Sequence, residues 1–230
     1  MFRLVRFSPI ALGLLAALAL TSCTKDSKTN PVAPVPQAQV MVVHASPNAP
    51  GVDLLVDGTL AKSNLMFPSN TPYLGVASGT RNVKVNVTGT STTVINANLA
   101  LTAGTNYSVF ACDSVSKIGA LVLTDDLTAP AAGKAHVRFV HLSPNAPAVD
   151  VAVTSGPVLF PNESFKSYSA FTPVTAGTYN LEVRLAGTST VVLPLPGITL
   201  TAGKIYTVFA KGFVGGTGAQ ALGAQIIVNN

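Results

Sequence analysis

One motif occurs twice in the sequence. Residues 43–53 read Val-His-Ala-Ser-Pro-Asn-Ala-Pro-Gly-Val-Asp, and residues 140–150 read Val-His-Leu-Ser-Pro-Asn-Ala-Pro-Ala-Val-Asp, at an offset of 97. Residues 101–110 and 200–209 also correspond, at an offset of 99, so the order is kept and the spacing drifts by only two residues. A fixed period of this kind marks a structural unit repeated along the chain. We therefore predict two tandem domains of about 97 residues each.

Within each unit, apolar and polar residues alternate in several short segments. The segments 83–87 and 181–185 place valines and leucines at every second position, which is typical of strands with one buried face. Two further runs, 120–123 and 225–228, are apolar on both sides and indicate strands that are covered on both faces. Each unit offers seven or eight strand candidates at spacings of about ten residues, with no convincing helical segment.

This pattern predicts an all-β fold, as a sandwich or a barrel, and the length favours two tandem immunoglobulin-like β-sandwich domains, since each such sandwich takes about 100 residues. The pattern Leu-x-x-Gly-x-x-Tyr before Tyr107 and Tyr206 resembles the tyrosine corner of these sandwiches, where the ring closes a loop before a central strand. We assign the first domain to residues 38–128, a linker to residues 129–134 and the second domain to residues 135–230.

The N-terminus has the pattern of an export signal. Arg3 and Arg6 precede an apolar run over residues 10–20, which is shorter than the roughly 20 residues that span a bilayer. The following Leu-Thr-Ser-Cys resembles the lipobox of bacterial lipoproteins. The resemblance implies that residues 1–22 are a signal peptide and that Cys23 is lipidated and becomes the mature N-terminus. An ordinary signal peptide is the alternative.

The segment that begins at the lipidation site is polar and rich in proline. Residues 23–37 include Pro31, Pro34 and Pro36 without periodicity, which predicts a flexible tether. Thr24 stands where lipoproteins retained in the inner membrane commonly carry Asp, so the same resemblance implies the outer membrane or the cell surface. The first partner that the sequence predicts is therefore a membrane, reached through the lipid anchor.

The repeated Ser-Pro-Asn-Ala-Pro segment has a local structural explanation. Proline fixes its own φ and holds the preceding residue extended, while asparagine tolerates turn conformations. We interpret both copies as structural corners between two strands, in which the His and Asp side chains form hydrogen bonds. The corner residues are His44, Ser46, Pro47, Asn48, Pro50 and Asp53, and then His141, Ser143, Pro144, Asn145, Pro147 and Asp150.

The corner also holds the residue types of a nucleophilic triad, His44, Ser46 and Asp53 in the first copy. Each serine precedes a proline in a predicted tight turn, and no nucleophile elbow or oxyanion-hole motif accompanies it. We therefore assign no catalytic residue and interpret the protein as a non-enzyme.

Metal binding is a further alternative. The candidate calcium ligands are Asp53, Asp57, Asp125 and Asp126. The second copy has neutral residues at three of the corresponding positions, namely Thr154, Asn229 and Asn230. The three histidines have no Cys or carboxylate at zinc-ligand spacing. We predict no metal and no cofactor, and calcium in the first domain stays an open alternative.

Charge and aromatic content narrow the possible partners. The 230 residues include 14 basic and 9 acidic ones without clustering, whereas nucleic-acid binding needs concentrated positive charge. Sugar-binding sites commonly offer aromatic platforms, and the chain has no Trp and only five Tyr. We therefore expect no nucleic acid and an unidentified protein or glycan partner at the cell envelope.

The corner and the strand after it resemble a known family. Residues 43–50, followed by Val-Asp-Leu-Leu-Val-Asp-Gly at 52–58, are similar to the signature V-H-A-S-P-D-A-P-x-V-D-V-x-V-D-G of the bacterial domain-of-unknown-function family 4397. Asn48 and Asn145 stand in place of the usual Asp, and the second copy lacks the final Asp-Gly pair. The resemblance covers nearly all of residues 38–230 and implies a secreted or lipid-anchored bacterial protein, with no established activity to carry over.

The function expected from these observations is a non-catalytic binding, adhesion or structural role at the cell envelope. The alternatives are a carbohydrate-binding or accessory module of an extracellular enzyme system, and a hydrolase of a kind not yet characterised.

Overall fold

The computed structural model describes residues 34–230. The predicted signal peptide, Cys23 and the tether up to residue 33 lie outside the described residues, and regular structure begins at Gln37. Residues 35–230 form one compact unit. Within residues 34–230, no helix has the length and apolar character needed to cross a membrane.

The first half contains eight strands. They are β1 (Gln37–Ala45), β2 (Val52–Val56), β3 (Thr59–Leu65), β4 (Leu74–Ala77), β5 (Gly79–Val87), β6 (Thr93–Leu101), β7 (Asn106–Cys112) and β8 (Gly119–Asp125). A single 3-10 turn, Val115–Lys117, lies between β7 and β8.

The second half also contains eight strands. They are β9 (Lys134–His141), β10 (Val149–Val153), β11 (Val158–Glu163), β12 (Thr172–Thr175), β13 (Gly177–Leu185), β14 (Val191–Leu200), β15 (Ile205–Lys211) and β16 (Gly223–Val228). A 3-10 turn, Gly218–Gln220, lies between β15 and β16.

The strands form four sheets of four strands each. In the first half, sheet A has the order β4-β1-β7-β8 and sheet B the order β3-β2-β5-β6. In the second half, sheet C has the order β12-β9-β15-β16 and sheet D the order β11-β10-β13-β14. The orders are the same once eight is added to each strand number. The prediction of an all-β fold with two β-sandwich domains is therefore confirmed.

Three apolar cores hold the sheets together. The first lies between sheets A and B, and the second lies between sheets C and D. The third joins sheet A to sheet C, so the two sandwiches share a buried contact. Strand β1 explains how one sheet serves two cores: Ala38, Val40 and Val42 enter the first core, while Met41 and Val43 enter the third.

The apolar runs 120–123 and 225–228 are predicted to be strands covered on both faces, and the structure agrees for the second run only. In β16, Ile226 packs against the second core and Ile227 lies in the third, so both faces are covered. In β8, Leu123 is buried in the third core, but Val122 on the other face is 37% exposed. The prediction is wrong for β8, because Ala120 and Val122 on that face are exposed and are not packed against the first core, whereas Ile226 of β16 is packed against the second.

Candidate functional site

In each half, the repeated corner leads the chain from one sheet of the sandwich to the other. In the first half, Pro47 and Asn48 form the turn between β1 in sheet A and β2 in sheet B, and Pro144 and Asn145 form it between β9 and β10. The corner therefore lies at one end of the core, where the chain crosses from one sheet to the other.

The corner histidines are buried and bonded to the corner itself. His44 Nε2 lies 3.0 Å from the carbonyl oxygen of Pro50, and His141 Nε2 lies 3.1 Å from that of Pro147. Since a carbonyl oxygen only accepts, each Nε2 must donate, and Nδ1 is then the unprotonated nitrogen of a neutral ring. Burial lowers the pKa of both imidazoles, against the opposing effect of the carbonyl contacts. Both rings are therefore neutral at pH 7.

The corner asparagines bind the loop that follows the central strand of their own half. Asn48 Oδ1 accepts from the backbone N–H of Val115 at 2.8 Å. Asn145 makes two bonds to Val214, accepting from its N–H at 2.9 Å and donating to its carbonyl oxygen at 3.0 Å. The corner thus holds a second loop at the same end of each sandwich.

The corner serines differ between the halves. Ser143 Oγ donates to the carbonyl oxygen of Gly212 at 2.7 Å. Ser46 Oγ is buried, and it has no hydrogen-bond partner among residues 34–230. The bond of Ser143 therefore adds a contact in the second half that the first half does not make.

The corner aspartates bind backbone amides on two neighbouring segments. Asp150 accepts from the N–H of Asn162 at 2.7 Å and from that of Gly187 at 2.9 Å. Asp53 accepts from the corresponding N–H of Asn64 at 2.8 Å, and this bond holds the pKa of Asp53 below its usual value. Asn64 and Asn162 have φ values of 48° and 52°, and they lie where the pairing register shifts. The carboxylates therefore stabilise bulges in β3 and β11.

The triad residue types of the corner are not assembled as a triad. In a triad, the imidazole contacts the serine through one nitrogen and the aspartate through the other. Here His44 Nε2 contacts the carbonyl oxygen of Pro50, and the Asp53 carboxylate contacts backbone amides and Thr88 Oγ1. The arrangement can hold loops and strands in place, and it presents no activated hydroxyl.

The four candidate calcium ligands are used in different places. Asp57 has a φ of 48° in the turn between β2 and β3 and forms an ion pair of 3.2 Å with Arg81. Asp126 accepts from the N–H of Thr128 just after β8. Asp125 is buried in the contact between the halves. In the part of the chain that the structure describes, no three His, Cys, Asp or Glu side chains lie together as a metal site.

The two predicted tyrosine corners have matching geometry. Tyr107 OH accepts from the backbone N–H of Thr102 at 3.1 Å, and Tyr206 OH accepts from that of Thr201 at 3.1 Å. The amide of Thr102 lowers the pKa of Tyr107. Each hydroxyl closes the loop that leads into the central strand carrying the tyrosine.

A buried ion pair joins the two halves, and sequence reasoning missed it. Arg138 on β9 and Asp125 on β8 are separated by 2.7 Å, with side chains 2% and 0% exposed. Ser108 on β7 connects them, because it accepts from Arg138 at 2.9 Å and donates to Asp125 at 2.6 Å. The guanidinium also lies 4.5 Å from the ring centre of Phe171.

A second chain of hydrogen bonds runs around the same ion pair. Arg138 donates to Thr207 Oγ1, which donates to Asn229 Oδ1. Asn229 donates to Tyr73 OH, and Tyr73 donates to Asp125 at 2.6 Å. Both routes of hydrogen bonds begin at Arg138 and end at Asp125, so the two charges are connected by an ion pair and by two chains of hydrogen bonds. Burial and the charge of Asp125 raise the pKa of Tyr73.

A signal for this network is present in the repeat itself. Corresponding positions of the two units carry different residues where the halves meet. The pairs are Met41 and Arg138, Tyr73 and Phe171, Ser108 and Thr207, and Asp125 and Asn229. In two of these pairs one copy is apolar and the other polar, and a polar side chain at a buried strand position needs a hydrogen-bond partner.

One family model matches the chain over a range that includes both corners. The family model described as a domain of unknown function, DUF4397, matches residues 38–152, which is half of the chain. The chain belongs to this family. The DUF4397 match runs from the start of β1 through the second corner into β10, so it includes both copies of the corner. No curated protein matches the chain.

Proposed function

We propose that this DUF4397 protein is a lipid-anchored, non-catalytic module of the bacterial cell envelope. In this proposal, residues 1–22 direct export, Cys23 carries the lipid, and the outer membrane or the cell surface is the destination. The body consists of two immunoglobulin-like copies of the family domain. Its role is binding, adhesion or structural support, with a protein or glycan partner at the envelope.

One observation carries the non-catalytic part of the proposal. Most corner residues that could do chemistry are already engaged in bonds that define the corner, and the Ser46 hydroxyl, which has no partner among residues 34–230, is buried. His44 and His141 donate to proline carbonyl oxygens, and Asp53 and Asp150 accept from backbone amides. A general base needs an unprotonated nitrogen within reach of the proton that it takes. Here Nε2 is bonded to a carbonyl oxygen, and the unprotonated Nδ1 is buried with no hydroxyl bonded to it among residues 34–230.

The contact between the sandwiches gives further support. Arg138 and Asp125 pair across the third core, and Tyr73 and Ser108 both donate to Asp125 Oδ2. Such a contact resists hinge motion between domains, since opening it would leave charges buried without partners or move them into water. A body of this kind is suited to presenting the surfaces of both sandwiches in one fixed arrangement.

The anchor is tested by metabolic labelling with an alkyne analogue of palmitate in a bacterial host that processes lipoproteins. We expect the label on the wild-type protein in the membrane fraction. Cys23→Ala should abolish the label and release the protein from the membrane. Cys112→Ala is the matched control, because this buried thiol has a pKa raised by burial to about 11 and should not be acylated. Label that persists in Cys23→Ala would contradict the anchor.

The non-catalytic role is tested by a screen with chromogenic ester and glycoside substrates. We expect no turnover above that of a heat-denatured sample. Turnover that is present in the wild type and absent from both His44→Ala and His141→Ala would overturn the proposal and favour the hydrolase alternative. Thermal unfolding curves of both variants would establish that they are folded.

A further inference from the structure

The second half contains an apolar cavity that the envelope role does not explain. It lies between sheets C and D at the corner end, has a volume of about 360 Å³, and is lined by side chains that include His141, Ala146, Val192, Val214 and Leu222. The spaces between the sheets of the first half are far smaller, about 20 Å³ and 10 Å³. A more open groove of about 370 Å³ in that half differs in chemistry, because the charged side chains of Asp57 and Arg81 line it. Ligand sites commonly have volumes of about 300–1,000 Å³, so this cavity has the size of a site and is not a packing defect.

The cavity exists because one loop differs between the halves. The loop after β7 has six residues, 113–118, and its last residue, Ile118, packs against the first core. The loop after β15 has eleven residues, 212–222, and its last residue, Leu222, lines the cavity. In the first half, the shorter loop places the aliphatic side chain of Ile118 on the core. In the second half, the longer loop lies farther from the core and forms one wall of the cavity.

The longer loop is held in this position by its own bonds. Phe213 N–H donates to the carbonyl oxygen of Gln220 at 2.8 Å, and Asn145 binds both backbone groups of Val214. Gly212 allows the close approach, since it has a φ of 79° and a Cβ there would lie 2.1 Å from the Ala221 carbonyl oxygen. The wall is thus built into the fold and would not simply collapse onto the core.

The lining selects the chemistry of the occupant. No charged side chain lines the cavity, so an ionic group inside it would be buried without a partner. The lining has no Phe, Tyr or Trp, and apart from His141 and Pro147 every lining residue is alanine, valine or leucine. His141 Nε2 is already bonded to Pro147, and Nδ1 is the one side-chain polar atom of the lining left without a partner, whereas an ordered water needs two to four partners. The mouth is apolar too, since Val192 and Val214 are 38% and 48% exposed.

We propose that the second half binds one saturated alkyl chain in this cavity, with the polar head of a single-chain amphiphile at the mouth. The volume suits a chain on the order of a dozen carbon atoms, because a cavity of about 150 Å³ holds a benzene molecule. The position of Ile118 in the first half shows that an aliphatic group is what this end of the sandwich accommodates. This inference does not depend on the envelope role.

The proposal is tested by equilibrium dialysis of radiolabelled dodecan-1-ol against the full chain carrying Cys23→Ser, so that no acyl group of its own competes. We expect one bound molecule per chain, displaced by dodecanoate and not by naphthalene-1-methanol. Val192→Phe, which fills the mouth, should weaken binding by at least about tenfold. The matched change Val94→Phe, at the corresponding place in the first half, should change it by less than about twofold.

A second pair of variants tests the cavity at another lining residue, so that the conclusion does not depend on one substitution. Ala146→Leu in the second corner should weaken binding as Val192→Phe does, whereas Ala49→Leu in the first corner should not. Circular dichroism and melting temperature establish that each variant is folded. Equal effects of the two members of each pair, displacement by the aromatic alcohol as effective as by dodecanoate, or no saturable binding by the wild type would each overturn the proposal.

Discussion

The two halves of the molecule share their strand order and most bonds of the corner, but they differ on the faces that meet. The first half contributes Asp125, Tyr73 and Ser108 to the contact, and the second contributes Arg138 and other polar residues. They also differ at the corner end, where Ile118 packs on one core and a longer loop leaves a cavity beside the other.

This difference shows how a repeated unit can acquire a fixed partner. Identical units would present the same patch to one another, as in a symmetric dimer. Here the anion comes from one half and the cation from the other, and the position that corresponds to Arg138 is Met41. A first half facing another first half would bury Asp125 with no cation, so the charges disfavour that pairing.

The largest expected effect comes from removing the cation. Arg138→Met, which copies the residue at the corresponding position of the first half, leaves Asp125 buried without its partner. We expect a loss of about 3–5 kcal/mol in the free energy of unfolding, the usual cost of breaking a buried ion pair. Urea denaturation followed by circular dichroism measures it.

Two further variants show whether the charge is the cause. Adding Asp125→Asn to Arg138→Met copies the neutral residue at the corresponding position of the second half and should recover most of the loss, because no charge then stays buried. Met41→Leu, a change of similar volume in the same core, should cost less than about 1.5 kcal/mol. A double variant no more stable than Arg138→Met would show that shape, and not charge, dominates this contact.

The corner aspartates should give the next largest effect, and they should differ between the halves. Asp150 is 7% exposed and makes short bonds to two backbone amides, so Asp150→Ala should cost about 2–3 kcal/mol. Asp53 has a longer second amide bond, 3.4 Å to Gly89, and is more exposed, so its bonds, including that from Thr88 Oγ1, compete more with water. Asp53→Ala should therefore cost less in the same denaturation experiment, and the reverse order would contradict this account of the bulges.

The corner histidines should make stability depend on pH in the same direction in both halves. Burial lowers the pKa of His44 and His141 in the folded state, so the unfolded chain binds more protons below pH 6.5. Stability is then complete above about pH 6.5 and decreases as the pH falls toward the folded pKa. We expect the melting temperature to fall between pH 6.5 and pH 5.5, with a contribution of the same sign from each histidine.

The measurement is the melting temperature from pH 7.5 to 5.5, compared with a His44→Gln/His141→Gln variant that keeps a side-chain N–H donor at each corner. The variant should have a flatter profile. A slope unchanged by the corner substitutions would show that other groups cause the pH dependence.

The sequence predicts the strands well where each has one covered face. Alternation at 83–87 and 181–185 corresponds to β5 and β13, in which Val83, Val85 and Val183 are buried and the residues between them are more exposed. The two-sandwich fold follows from many such segments and is confirmed. Periodicity is informative here because each of these strands lies on only one core.

The contact between the halves could not be predicted by the same reasoning. Strand β1 is apolar on both faces because two cores cover it, but alternation does not identify the distant segment that provides the cover. Arg138 stands between Val137 and Phe139 with no local explanation for its charge, and the sequence indicates its partner Asp125 only as a possible metal ligand. Their pairing depends on the third core, which brings β8 and β9 together in space.

The smallest expected effect tests the point on which the halves should be equal. Tyr107 and Tyr206 each accept one backbone amide at 3.1 Å, and their rings are 8% and 6% exposed. Removing either hydroxyl deletes one hydrogen bond from a largely buried ring, so Tyr107→Phe and Tyr206→Phe should each cost about 1 kcal/mol. Because the two sites lie in different halves with no shared partner, the double variant should cost the sum of the two within about 0.5 kcal/mol. A clear excess over that sum, measured by urea denaturation, would mean that the two sandwiches transmit strain through the third core and that the corners are not independent.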